Sequence, residues 1–128
     1  MPVRKQLSMF LENKPGVLAR LCDTFAKNEV NVEGMSVSDT VDHAVVRMIT
    51  SDPERARAIL ESANVLVVET DVLALTLPDK PGQLAKIAKQ LAKVKVNIEY
   101  AYGTTEADGG VLILRVSDIK KARKALKL

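Results

Sequence analysis

Residues 13–21 read NKPGVLARL, and sixty-six residues further on the chain reads DKPGQLAKI, residues 79–87. The echo extends without a gap along most of the chain. Leu7 meets Leu73, Leu11 meets Leu77, Lys14-Pro15-Gly16 meets Lys80-Pro81-Gly82, and Val30-Asn31 meets Val96-Asn97. Glu33 meets Glu99, Ser51-Asp52 meets Ser117-Asp118, and Ala56-Arg57 meets Ala122-Arg123. The period is too long for a solenoid, whose units run to about 20–50 residues. It is a duplicated domain, so whatever fold the first half adopts the second must repeat.

Each copy can be read for its elements. QLSMFL (6–11) and VLALTL (72–77) are β-type runs of strand length. A turn at Asn13–Gly16, or Asp79–Gly82, then leads into a helix. Leu18, Leu21, Cys22 and Phe25 recur at helical spacing, as do Leu84, Ile87, Ala88 and Leu91. Cys22 thus falls on the apolar stripe, as a packing residue. Strands are predicted over Val30–Ser38 and Val96–Thr104, closed by hairpin turns at TVDH (40–43) and EADGG (106–110). His43, the single histidine, is placed in the first of those turns. AVVRMIT (44–50) and VLILRV (111–116) supply a third strand, and Asp52-Pro53 and Asp118 are helix starts. VLVVE, from Val65 to Glu69, is a fourth strand running almost directly into the second copy.

The order is β-α-β-β-α-β, the split βαβ or ferredoxin-like arrangement, an α+β fold with helices on one face of an antiparallel sheet. Two such units are expected, residues 1–70 and 71–128. The second stops after its second helix and lacks a last strand. Either the strand Val65–Leu77 serves both halves, or a bare sheet edge pairs with another chain, which favours a homodimer.

Composition narrows the function classes. No apolar run approaches the roughly 18–20 residues that span a bilayer, and the N-terminal stretch lacks an uninterrupted apolar segment of signal-peptide type. A cytoplasmic protein with no membrane role is expected. One cysteine allows no internal disulfide and no cysteine-based metal cluster. The net charge of +3 is concentrated in SDIKKARKALKL (117–128), which reads as a solvated helix face. A nucleic-acid footprint would interleave basic groups with stacking aromatics, and this chain has only Phe10, Phe25, Tyr100 and Tyr102. No paired acid and base, activated nucleophile or phosphate-cradling loop appears, so the chain reads as non-enzymatic, with no cofactor and no metal.

The Lys-Pro-Gly turns carry the remaining chemistry. A helix start presents free N–H groups and the positive end of the helix dipole, which suit a carboxylate or phosphate. Glycine there removes the side chain that would keep a ligand from the backbone. Pro and Gly also serve simply to turn a strand sharply into a helix. ENKPGVLARLCDTFAKNEVNV and PDKPGQLAKIAKQLAKVKVNI together resemble the signature of the ACT domain, an amino-acid-sensing regulatory module, in two tandem units covering the whole chain. The first copy resembles most the serine-sensing domain of phosphoglycerate dehydrogenase.

The resemblance implies a site in which the turn of one ACT unit faces the second strand of a paired unit. It implies Asn13, Gly16, Val17 and Leu18 with Asn31 for the first site, and Asp79, Gly82, Gln83 and Leu84 with Asn97 for the second. Serine-sensing relatives carry a histidine two residues before the turn Asn, where this chain has Leu11, and Leu77 in the second copy. The ligand implied is therefore an apolar or aromatic amino acid in preference to serine. Asp79 in place of Asn implies that the sites are not equivalent. Tyr100 and Tyr102, two apart on a strand, point to one side and either line the second pocket or pack a unit–unit interface. The function implied is a regulatory protein that reports a free amino acid to a separate metabolic enzyme or transporter. The alternative is an interaction module that binds a partner protein and no small molecule.

Overall fold

The computed structural model of the chain describes residues 2–40, 42–103 and 110–128. The elements run β1 (Val3–Glu12), α1 (Val17–Lys27), β2 (Val32–Asp39), β3 (His43–Thr50) and α2 (Pro53–Ser62). They continue with β4 (Val67–Leu77), α3 (Gln83–Lys93), β5 (Ile98–Gly103), β6 (Gly110–Val116) and α4 (Ile119–Ala125). This is the ferredoxin-like α+β order, built on antiparallel ladders. The chain divides into two compact units: Lys5–Thr70, and Asp71–Leu128 together with the N-terminal residues through Arg4.

In the first unit the strand order is β2-β3-β1-β4. Leu7, Met9 and Leu11 of β1 stand opposite Met48, Val46 and Ala44 of β3, so all six share one face of the sheet. Leu21 and Phe25 of α1 and Ala56 and Leu60 of α2 close the core against that face. The second unit, ordered β5-β6-β4-β1, repeats the plan. Leu73 and Leu75 of β4 stand opposite Leu114 and Leu112 of β6, under Leu91 of α3 and Ala122 of α4. In both units the helices lie on one face.

The strand missing from the second copy is supplied by the other end of the chain. The Ala74 N–H donates to the Pro2 carbonyl at 2.7 Å, and Val3 packs against the second core. The start of β1 therefore lies where a last strand would lie, and this side of β4 is not a bare edge. β4 is likewise one continuous strand, contributing through Thr70 to the first unit and from Asp71 to the second.

Helix boundaries follow local chemistry. Asp52 Oδ1 accepts from the Arg55 N–H at 3.1 Å, and Asp118 Oδ1 from the Lys121 N–H at 3.0 Å, as the sequence predicts. All four helices close with one left-handed residue, Glu29, Asn64, Lys95 or Lys127, each near φ 60°. The following N–H bonds back to the helix, as from Val30 to the Phe25 carbonyl at 2.9 Å. Val65 to Leu60 and Val96 to Leu91 repeat it at the same distance. This moves three predicted strand starts. Val30, Val65 and Val96 belong to helix-closing motifs, and the strands begin two residues later, at Val32, Val67 and Ile98. His43 opens β3 and does not sit in the turn, because its carbonyl accepts from both Thr40 N–H and Thr40 Oγ1 to close the hairpin. The EADGG turn lies outside the described residues apart from Gly110, the first residue of β6.

Removing residues 2–4 strips the second unit of the Val3 side chain and the Ala74–Pro2 hydrogen bond. The expected cost is about 2 kcal/mol. Hydrogen exchange read residue by residue should show faster exchange at Ala74 and its β4 neighbours, with β2 and β3 of the first unit unchanged.

Candidate functional site

Both Lys-Pro-Gly turns end in a left-handed glycine at the N-cap of a helix: Gly16 at φ 88° before α1, and Gly82 at φ 89° before α3. An L side chain is strained there, which is why glycine stands at both positions. Neither helix has a side-chain cap or an acidic residue in its first turn. Their positive ends are thus left to solvent or to a ligand. The Asn13 N–H is held by the Asp42 carbonyl at 3.3 Å, and Gly16 O accepts from the Arg20 N–H at 3.0 Å. Beside the turn, Lys14 Nζ lies 2.8 Å from Glu12 Oε2. That hydrogen bond and the lysine charge hold the Glu12 carboxyl below its usual pKa.

Asn31 and Asn97 precede the second strand of each copy and are anchored by a contact that pattern reading missed. The Asn31 N–H donates to Ser51 Oγ at 2.9 Å, and the Ser51 N–H returns a bond to the Asn31 carbonyl at 2.9 Å. Asn97 and Ser117 repeat the pair at 2.9 and 3.0 Å. Each serine precedes the aspartate that caps the following helix, so one junction fixes both helix start and asparagine backbone. The signal was present in the repeat, where Ser51 meets Ser117. Two residues on, the ladder shifts register between Val32 and Gly34 and between Ile98 and Tyr100, so Glu33 and Glu99 sit at bulges. Glu99 Oε1 lies 3.3 Å from Arg115 Nε.

Asn13, Gly16 and Asn31 are exposed, whereas Val17 and Leu18 are half-buried against the first core. Leu11 is only 7% exposed and is a core residue itself. In the second unit Asp79, Gly82 and Asn97 are exposed, Gln83 is half-buried, and Leu84 is 55% exposed. Leu77 packs against the second core. The turn and the asparagine of one unit are not brought together. Glu12 stands opposite His43, at one end of β3, and Val32 stands opposite Thr50, at the other. Eight residues of strand separate them by about 24 Å. The same opposition holds in the second unit, where Leu77 faces Gly110 and Ile98 faces Val116.

Tyr100 and Tyr102 pair with Arg115 and Ile113, on the sheet face away from α3 and α4. Cys22 is half-buried against the first core. Among the described residues no group of three or more His, Cys, Asp or Glu is placed to hold a metal ion, and no helix is long and apolar enough to cross a membrane.

A family model described as an ACT domain pair matches residues 1–128. The acetolactate synthase isozyme 3 small subunit of Escherichia coli (strain K12) is 27% identical over 113 residues, spanning 88% of this chain and 67% of that protein. The solved structure of protein BT0572 from Bacteroides thetaiotaomicron matches with a TM-score of 0.93 at 35% identity, covering 98% of this chain and 87% of that one. The ligand-free regulatory subunit of aspartate kinase from Thermus thermophilus has the same fold, with a TM-score of 0.71 at 16% identity over 99% of this chain and 93% of that one.

Ser51→Ala and Ser117→Ala should each cost about 0.5–1 kcal/mol in urea unfolding, because at this exposed junction water replaces the hydroxyl as acceptor for the asparagine N–H, and threonine should restore most of it. Gly16→Ala should cost a similar amount, about 1–2 kcal/mol, through backbone strain alone. A thermal-shift comparison with an alanine substitution at exposed Lys14 provides the control.

Proposed function

The chain belongs to the ACT domain family as a tandem pair, and on that premise we propose that it is a non-enzymatic regulatory protein that binds a free amino acid. The observation that carries this reading is the pair of left-handed glycine turns opening uncapped helices. The N–H groups of residues 16, 18 and 82–84 are free of side-chain caps and suited to a carboxylate, while the Val17 N–H makes a long 3.4 Å bond to the Lys14 carbonyl. Leu11 and Leu77, next to the turns, favour an apolar or aromatic side chain over serine, against the template of the serine-sensing domain. Asn31 and Asn97 lie at the far ends of their own units, so a site that combines turn and asparagine draws them from different ACT units. A second copy of the chain supplies such a unit, and the active form is a homodimer.

Binding of this kind regulates only if the ligand favours one of two arrangements of the units. The names of the similar proteins, a small subunit and a regulatory subunit, support a separate catalytic chain as the receiver of the signal. The setting is the cytoplasm. A second reading rests on Phe10, Leu66 and Val68 of the first unit, exposed by 51, 70 and 49%. Such residues suit a protein partner with no small molecule involved.

A thermal-shift screen against the twenty amino acids separates the readings. A ligand that binds only the folded state at 100 times its Kd adds about 2.7 kcal/mol. A shift confined to a few apolar or aromatic amino acids supports sensing. If none of the twenty moves the midpoint, sensing fails and the interaction module is left.

A further inference from the structure

α1 and α2 run side by side over the core of the first unit, and a cleft of about 500 Å³ opens between them beside the Gly16 turn. Its walls include Leu11, Val17 and Leu21 on one side and Ile59 and Val65 on the other. That volume lies in the range of small-molecule sites, about 300–1,000 Å³. Three features make the cleft chemically polarised.

The first is Arg20, also in the wall. Its Nη1 lies 3.4 Å from where a Cβ on Gly16 would be, so the guanidinium folds back over the turn. Among the described residues it makes no ion pair within 4 Å; the Glu12 carboxylate, bonded to Lys14, also feels its charge from farther off. The second is the opposition of helix ends. Val17 and Arg20 belong to the first turn of α1, while Ser62 and Ala63 lie at the end of α2, whose last turn has no basic residue. One end of the cleft therefore carries a positive helix terminus and a guanidinium, and the other the negative end of the α2 dipole, its Ile59, Leu60 and Glu61 carbonyls already bonded by the capping N–H groups. The third is the pair of hydroxyls in the wall. Thr24 Oγ1 donates to the Arg20 carbonyl at 3.0 Å, and Ser62 Oγ donates to the Ala58 carbonyl at 2.8 Å. With their protons committed, both retain lone pairs for an ammonium group.

We propose that this cleft binds the free amino acid within the first unit: Arg20 takes the carboxylate, the α2 terminus takes the ammonium group, and the apolar walls take a hydrocarbon side chain. This rests on the reading that the chain binds a free amino acid, and it relocates recognition from the asparagine strand to the helix pair. The second unit is not equipped in the same way. Lys86 stands where Arg20 does in the repeat, nothing lies within 4 Å of a Cβ on Gly82, and the last turn of α4 carries Arg123 and Lys124. A cationic helix end repels an ammonium group. One site per chain follows.

The test is a titration of the protein with L-leucine and L-phenylalanine, read by amide NMR shifts and calorimetry, on the wild type and three variants. Arg20→Gln removes the charge and leaves a polar, unbranched side chain two bonds shorter. Ala63→Lys is at an exposed position and gives α2 the cationic end that α4 has. Asn31→Ala removes the rival contact. Shifts should cluster at Val17, Arg20, Thr24, Ser62 and Ala63, with one equivalent bound per chain. Kd should rise about tenfold or more in Arg20→Gln, as expected for losing a charge-assisted pair, and should not change in Asn31→Ala. Ala63→Lys should weaken binding while leaving the melting temperature the same or higher, a combination that loss of structure does not produce. Shifts centred on Asn31 or Asn97, with Kd indifferent to Arg20→Gln, would overturn the cleft and leave amino-acid sensing standing. If neither these probes nor any other of the twenty amino acids moves a signal, sensing and the cleft fall together.

Discussion

The structure depends on the alternation of side chains along two long strands. Val3, Leu7, Met9 and Leu11 are all odd-numbered positions of β1, and Val67, Leu73 and Leu75 are all odd-numbered positions of β4. A strand returns to the same face every second residue. Each strand can therefore present a row of apolar side chains to a core along the stretch that it gives to that unit. β1 gives Val3 to the second core and Leu7, Met9 and Leu11 to the first, while β4 gives Val67 to the first and Leu73 and Leu75 to the second. A unit of about 60 residues buries a modest fraction of its surface, so a borrowed strand segment matters to each core.

From that frame the position of the turns follows. β1 and β4 each end where the core ends, and the chain must reverse into a helix over the same face. A left-handed glycine makes the corner, and the helix that starts there exposes its positive terminus because no side chain caps it. At the opposite end of each unit the chain makes another fixed joint, the reciprocal Asn–Ser bonds. The two joints are held apart by the length of β3 or β6. A ligand that needs the turn must find its other contacts in a different unit or in the helices beside the turn, and the α1–α2 cleft provides the second.

The two units are alike in backbone and unlike in charge. Gly16 and Gly82 differ by one degree in φ, yet Arg20 and Lys86 differ in reach and geometry, and a guanidinium binds a carboxylate in a planar fork that an ammonium cannot match. α2 and α4 end with the same backbone motif, but only α4 ends among cations. Duplication preserved what the core requires and released what faces solvent. Functional asymmetry arises there because a surface substitution costs little in stability.

The duplication, the order of elements, the glycine turns, the Asp52 and Asp118 caps and the apolar stripes of α1 and α3 are legible from the residues alone. These are local: capping, turn chemistry and periodicity act over a few residues, and a repeat displays each twice. The strand starts at Val32, Val67 and Ile98 were misplaced because a valine that closes a helix by bonding back to it reads as the first residue of a strand. It takes the folded chain to show that residues 2–4 complete the second unit, that Ser51 and Ser117 hold the asparagines, and that Leu11 lies in the core beside a cleft that Arg20 polarises. Each of these joins residues far apart in the chain, through a hydrogen bond or a packed surface. The repeat of Ser51 at Ser117 marks a residue without naming its partner, and the other pairings leave no periodic trace, because closing a long loop is favoured by the whole core and not by the residues that finally touch.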